Sequence, residues 1–146
     1  MQAWVRLLRA HASIVRQFNS DLVHAHGLTL NDYEVLLHLA REPERRLRRV
    51  DLADRVLLTP SGITRLLDGL ERTGYVTRAQ CAGDARVTYA VLTDKGYDKL
   101  REASPTHLES IRSLFSARFG DQELETLAAL LARLPGDGSD ESCGVE

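Results

Sequence analysis

The chain has 146 residues, 43% hydrophobic and 27% charged, with 19 basic and 21 acidic side chains and a formal net charge of −2. That length favours one domain, or one compact unit with an appended element, and the balance argues against a histone-like polybasic binder. No apolar run reaches the roughly 20 residues that span a bilayer, and Arg6, Arg9 and His11 break up the N-terminal apolar residues, so neither a membrane span nor a secretory signal is predicted.

Trp4, Leu7, Leu8, His11, Ile14, Val15, Phe18 and Leu22 recur at intervals of three and four. They predict a long amphipathic helix with one apolar face, stopped at Gly27. Thr29 with Asp32 reads as a capping box that opens a second helix through Tyr33, Leu36, Leu37 and Leu39, ending before Pro43. Residues 42–49, EPERRLRR, are turn-like, with Leu47 pinning a short strand. VDLADRV at 50–56 makes a short helix, and Leu57-Leu58 turns into Thr59-Pro60, an N-cap followed by proline at the first helical position. The helix so begun points Ile63, Leu66, Leu67 and Leu70 inward and stops at Gly74.

The period then changes from 3.6 to 2. Tyr75 to Arg78 alternates, Ala82-Gly83-Asp84 turns, and Val87 to Leu92 alternates again, which predicts a β-hairpin. Thr93 or Asp94 caps a further helix with Tyr97 and Leu100 inward, expected to kink or split at Ser104-Pro105. Leu108, Ile111, Leu114, Phe115 and Phe119 continue its apolar stripe. A final helix is expected from Gly120-Asp121 through Leu134, ended by Pro135, with a disordered acidic tail beyond it.

The charge is unevenly placed. Residues 1–40 carry three basic and three acidic side chains, residues 41–93 ten and seven, and residues 94–146 six and eleven. The basic excess therefore lies in the middle segment, where every basic residue is arginine. A short helix, a tight turn, a second helix with a polar leading face and a hairpin form a winged helix-turn-helix. A recognition helix offers its first turns to base edges; here that face is Thr59, Pro60, Ser61, Gly62, Thr64 and Arg65. Hydroxyls pair with any base, and an arginine grips guanine bidentately for about 1–3 kcal/mol of discrimination. The backbone amides at the same N-terminus suit a phosphate.

These segments resemble the MarR (multiple antibiotic resistance regulator) family. GLTLNDYEVLLHLA is similar to the start of its second helix, and VDLADRVLLTPSGITRLLDGLERTGYV to its helix-turn-helix. Asp84-Ala85-Arg86, followed by Val91-Leu92-Thr93-Asp94-Lys95-Gly96, resembles its D-x-R…LT-x-x-G wing signature. SPTHLESIRSLFSARFGDQELETLAALLARL resembles its dimerisation helices. The resemblance covers nearly everything except the tail.

The resemblance implies a mainly α fold with a small β-hairpin wing, in which N- and C-terminal dimerisation helices flank the winged helix-turn-helix. The corresponding division is 1–28, 29–93, 94–134 and a tail at 135–146. It implies a homodimer, double-stranded DNA as partner, usually repression, and release by a small aromatic anion. Arg86 is implied to enter the minor groove, with Asp84 holding it; a narrow minor groove concentrates negative potential and favours a guanidinium. Many members carry a second wing arginine where this chain has Ala85, which lowers wing affinity or shifts it onto Arg78 and Arg86.

Arg45, Arg46, Arg48 and Arg49 read either as phosphate contacts or as a solvated loop beside Glu42 and Glu44. Asp68 reads as a brace for Arg65 or for a wing arginine. Trp4, His11 and His38 are the candidates for an effector site, set against interface or core packing; the tryptophan matches urate-type members of the family. His24 and His26 point about 200° apart on a helix, which disfavours a shared metal. Cys81 and Cys143, 62 positions apart, make no disulfide framework, and a cytoplasmic protein is expected. Oxidation of Cys81, at the end of the first wing strand, is a further reading. No phosphate loop, nucleophile elbow or metal-ligand spacing is present, so no enzyme and no cofactor are expected. Two alternatives stay open: a winged protein-docking module, and a DNA-binding regulator without a ligand.

Overall fold

Glycine and short polar side chains set the boundaries of the helices in this computed structural model, which describes residues 1–81 and 83–134. The expected turn residue Ala82, the acidic tail with Pro135 and Cys143, and the side chain of Ala85 lie outside what is described. The first helix, α1, runs Gln2–His26 and ends on Gly27 at φ 66°, a left-handed position that glycine takes without steric cost. Helix α2, Leu30–Arg41, opens with the capping box: the Asp32 amide donates to Thr29 Oγ1 at 3.1 Å, and the Thr29 amide donates to Asp32 Oδ2 at 2.9 Å.

Strand β1, Arg46–Arg48, is held by buried Leu47 and leads into the short helix α3, Arg49–Arg55. The turn that follows is a Schellman-type cap: the Leu58 amide donates to Ala53 O at 2.9 Å, and Leu57 takes φ 53°. Helix α4, Pro60–Arg72, starts on Thr59, whose Oγ1 accepts from the Gly62 amide at 3.1 Å. Ile63, Leu67 and Leu70 are its buried residues, while Leu66 is half-buried. Strands β2, Val76–Cys81, and β3, Asp84–Leu92, form the hairpin, and the sheet order is β1-β3-β2, all antiparallel. Leu22, Val35, Leu36, Leu39, Leu52, Ile63 and Val76 are the largest fully buried side chains, so α1, α2, α3, α4 and the sheet share one core.

Helix α5 runs Asp94–Ser116. The expected split at Ser104-Pro105 does not occur. Proline removes one helical bond, but Leu100 and Ala103 anchor the preceding turn in the core. On the following turn His107 packs against the Phe18 and Tyr33 rings, and Ser104 Oγ donates to Leu100 O at 2.8 Å. Helix α6, Asp121–Leu131, is shorter than expected, because Leu134 falls outside it. The Arg133 and Leu134 amides reach back three residues, to Leu130 O and Leu131 O, which tightens and ends the last turn.

The chain forms two compact units, one from Met1 to Ser110 and one that begins at Ile111. The winged helix-turn-helix lies wholly in the first. Among the described residues, no helix is long and apolar enough to cross a membrane.

The start of α5 is locked onto the base of the wing. Thr93 Oγ1 donates toward the carbonyls of Gly74 (2.7 Å) and Tyr75 (3.1 Å) and accepts from the Gly96 amide at 3.0 Å. A Cβ on Gly96 would lie 2.1 Å from Tyr75 O, so only glycine fits there. The Thr and Gly of the LT-x-x-G run thus join two backbones.

Candidate nucleic-acid interface

Helix α4 presents an exposed leading face made of Thr59, Pro60, Ser61 and Arg65, with Gly62 and Thr64 half-buried behind it. Its first turn carries no acidic residue, so the partial positive charge of the N-terminus is uncancelled. Thr64 Oγ1 donates back to Pro60 O at 2.8 Å and accepts from Arg49 Nη1 at 3.4 Å. Those bonds draw the first residue of α3 against the recognition helix. Gly62 keeps the cap open: a Cβ there would sit 3.1 Å from Thr59 Oγ1.

The structure sorts the arginines of the middle segment by whether a carboxylate already holds them. Arg45 pairs with Asp94 at 3.2 Å and lies over the Tyr97 ring. Arg46 pairs with Glu44, and Arg55 with Glu42 at 2.7 Å. Arg48 grips Asp51 bidentately at 2.6 and 2.8 Å, a hydrogen-bonded pairing that raises the guanidinium pKa further above its ordinary value. Arg78 is bound by both Glu71 and Asp68, and the hydrogen bond to Glu71 is the main cause of its raised pKa. Among the described residues, no carboxylate pairs with Arg49, Arg65, Arg72 or Arg86. Arg72 donates instead to Asp68 O at 3.2 Å.

These cations line separate hollows on α3, α4 and the wing. Arg49 and Arg86 line one hollow with Arg48, Val50, Val87 and Thr88. Arg49 also lines the neighbouring hollow with Thr64, Arg78, Gln80 and Thr88. Arg65 and Arg72 share a third hollow with Asp68 and Glu71 on the exposed side of α4. The expected set of Thr59, Ser61, Thr64, Arg65, Arg49 and Arg86 is thus drawn onto the recognition helix, the start of α3 and the wing. Arg78 lies beside it with its charge already balanced.

Two details differ from the sequence reading. Asp84 does not reach the Arg86 guanidinium; its Oδ1 accepts from the Arg86 backbone amide at 2.9 Å. An aspartate two residues before an amide closes a local turn, so Asp84 shapes the wing backbone and leaves the arginine free to extend. Of the two braces open to Asp68, the wing arginine Arg78 is the one formed. Glu71, the second carboxylate on Arg78, was not singled out by sequence. Its place three residues after Asp68, on a helix running straight into the hairpin, was the available signal.

The remaining candidates lie elsewhere. Trp4 is 59% exposed on α1 and His11, about two turns further along it, is exposed too, whereas His38 is half-buried in α2. His26 contacts Glu102 (3.2 Å) and Thr106 (2.8 Å), and no group of three metal-ligating side chains forms among the described residues. Cys81 is a half-buried free thiol next to a register shift in the hairpin.

A sequence model of the MarR family matches residues 26–87. The HTH-type transcriptional regulator MhqR of Bacillus subtilis is 30% identical over 134 residues, covering 92% of this chain and 90% of that protein. The HTH-type transcriptional repressor YetL of the same organism is 30% identical over 124 residues, covering 83% and 74%. The crystal structure of Sco3205, a MarR family transcriptional regulator from Streptomyces coelicolor in complex with DNA, aligns with a TM-score of 0.83. It is 29% identical, and the alignment covers 90% of this chain and 82% of that one.

Proposed function

Because the chain belongs to the MarR family of DNA-binding transcriptional regulators, we propose that it is a repressor that grips a pseudo-palindromic operator as a homodimer. The observation that carries this reading is that Arg49 at the start of α3, Arg65 on α4 and Arg86 on the wing have no carboxylate partner among the described residues, while the N-terminus of α4, which Arg49 touches through Thr64, is uncancelled. In this reading Thr59, Pro60, Ser61, Gly62, Thr64 and Arg65 enter the major groove. Arg86 reaches the minor groove from a wing backbone shaped by Asp84, and Arg49 meets the phosphate backbone. The similarity to YetL, named a repressor, and to Sco3205, crystallised with DNA, supports the same reading.

Two apolar surfaces support the homodimer. On α1, Trp4, Val5, Leu7 and Leu8 are exposed; on α6 no residue is buried, and Leu130 and Leu131 face solvent. Large apolar side chains displayed in this way mark a protein interface. We assign 1–28 and 94–134 to dimerisation and 29–93 to DNA binding. Half-sites should lie about one helical turn apart. We assign effector release to a small aromatic anion and place Trp4, His11 and His38 as its candidate contacts. Trp4 and His11 would line a pocket only where a second copy covers α1. A cytoplasmic location fits this role.

The test is an anisotropy titration against the DNA upstream of the protein's own gene at two salt concentrations. Affinity should fall steeply with salt, because each neutralised phosphate releases counterions. Flat or absent binding would instead favour a winged docking module.

A further inference from the structure

Arg78, on strand β2, is bound by two acids of the recognition helix, Asp68 and Glu71. Along α4, Arg65, Asp68 and Arg72 lie three and four residues apart, so they share one stripe. Arg65, Asp68, Glu71 and Arg72 line a single exposed hollow. The acids therefore stand on the side of the helix that carries Arg65, where an unbalanced carboxylate would repel phosphate. Every other arginine–carboxylate pair described above lies off this stripe. Arg78 also spans two elements: it ties the first wing strand to the helix that precedes it. A planar guanidinium suits this bridge, because its fork offers separate N–H groups to the two acids, Nε to Glu71 and Nη2 to Asp68.

We propose that Arg78 is a positioning residue and the internal counter-ion of the recognition helix. It keeps the Asp68 and Glu71 carboxylates off the DNA and holds the wing strand against α4, without itself contacting a phosphate. This role rests on the DNA-binding reading above.

The test compares Arg78→Gln, Arg78→Lys and the triple variant Asp68→Asn/Glu71→Gln/Arg78→Gln. The probe is a 30-base-pair duplex selected from a random-sequence pool by the unaltered protein. Arg78→Gln should lower affinity about tenfold, since two exposed ion pairs are lost and two carboxylates are bared. Its slope of log affinity against log salt should stay that of the unaltered protein. The triple variant should recover most of the loss, because the acids that needed balancing are gone, and Arg78→Lys should recover part of it. In the free protein, Arg78→Gln should speed amide exchange along Val76–Cys81.

Three results would overturn the proposal: a salt slope shallower by about one, the mark of a lost phosphate contact; a triple variant no better than Arg78→Gln; or unchanged amide exchange. A protein that selects no duplex overturns the DNA reading and this role with it. Normal selection with an unrescued Arg78→Gln overturns this role alone.

Discussion

Helices α4 and α6 are both short and amphipathic, yet they treat their leucines in opposite ways. Helix α4 buries Ile63, Leu67 and Leu70 within its own chain and turns hydroxyls and arginines outward. Helix α6 buries nothing and displays Leu130 and Leu131. A helix satisfied on its apolar side and polar on the other is ready for a charged, hydrated partner. A helix whose apolar side stays in water is missing a protein partner. The contrast matches the two associations proposed above, one with DNA and one with a second copy.

The largest break in this contrast should come from Leu130→Asp with Leu131→Asp. Neither side chain is buried in the chain, so circular dichroism should show the helices retained, while two buried charges at the seam should weaken self-association about a hundredfold or more. Sedimentation equilibrium measures it, and an unchanged dimer would remove α6 from the interface.

On the α4 side, Arg65→Ala should lose about 1–3 kcal/mol of discrimination at one base position. Arg86→Ala should instead weaken binding evenly across sequences. Selection from a random pool reads both; an unaltered preference in Arg65→Ala would remove its base-reading role, and an altered one in Arg86→Ala would give that role to the wing.

A smaller effect concerns the approach to α4 rather than its face. Leu57 is 91% exposed and holds φ 53°, where a side chain meets its own backbone. Leu57→Gly should therefore stabilise the protein by about 1 kcal/mol, seen as a melting temperature higher by a few degrees. Glycine in most other turns would do the reverse. An unchanged or lower melting temperature would show that Leu57 makes a contact worth more than the strain.

The gentlest test uses pH and bypasses both helices. Burial against Phe18 and Tyr33 lowers the His107 pKa below its ordinary 6.5. The unfolded chain then binds the proton more readily, so stability should fall as pH drops below about 6.5, down to the folded-state pKa. His107→Phe should flatten that part of a denaturation-midpoint profile. The Glu102 carboxyl, held below its ordinary value by His26 and Lys99, acts separately: its contribution is lost below about pH 4.5.

Much of this was legible in the sequence, for local reasons. The Thr29–Asp32 box, the Gly27 stop, the Thr59-Pro60 start and the change to period 2 at Tyr75 depend on neighbours within four residues. What escaped was set at longer range. Pro105 reads as a break until Phe18 and Tyr33, from other helices, are seen packed on the turn after it. Arg78 reads as a free wing cation until the hairpin folds it back onto Asp68 and Glu71. The Asp84–Arg86 pairing escaped for a different reason: the sequence places the two residues together but does not say whether side chain or backbone receives the bond.

The joint at Gly96 has a mechanical consequence. The wing base and the first turn of α5 meet through carbonyls, amides and one threonine hydroxyl, and beside them the Lys95 ammonium donates to Thr73 O at 2.6 Å. The backbone part of that contact has no rotamers with which to absorb a displacement. A tilt at the start of α5 would therefore be felt first at the base of the hairpin, where Tyr75 and Gly74 offer their carbonyls.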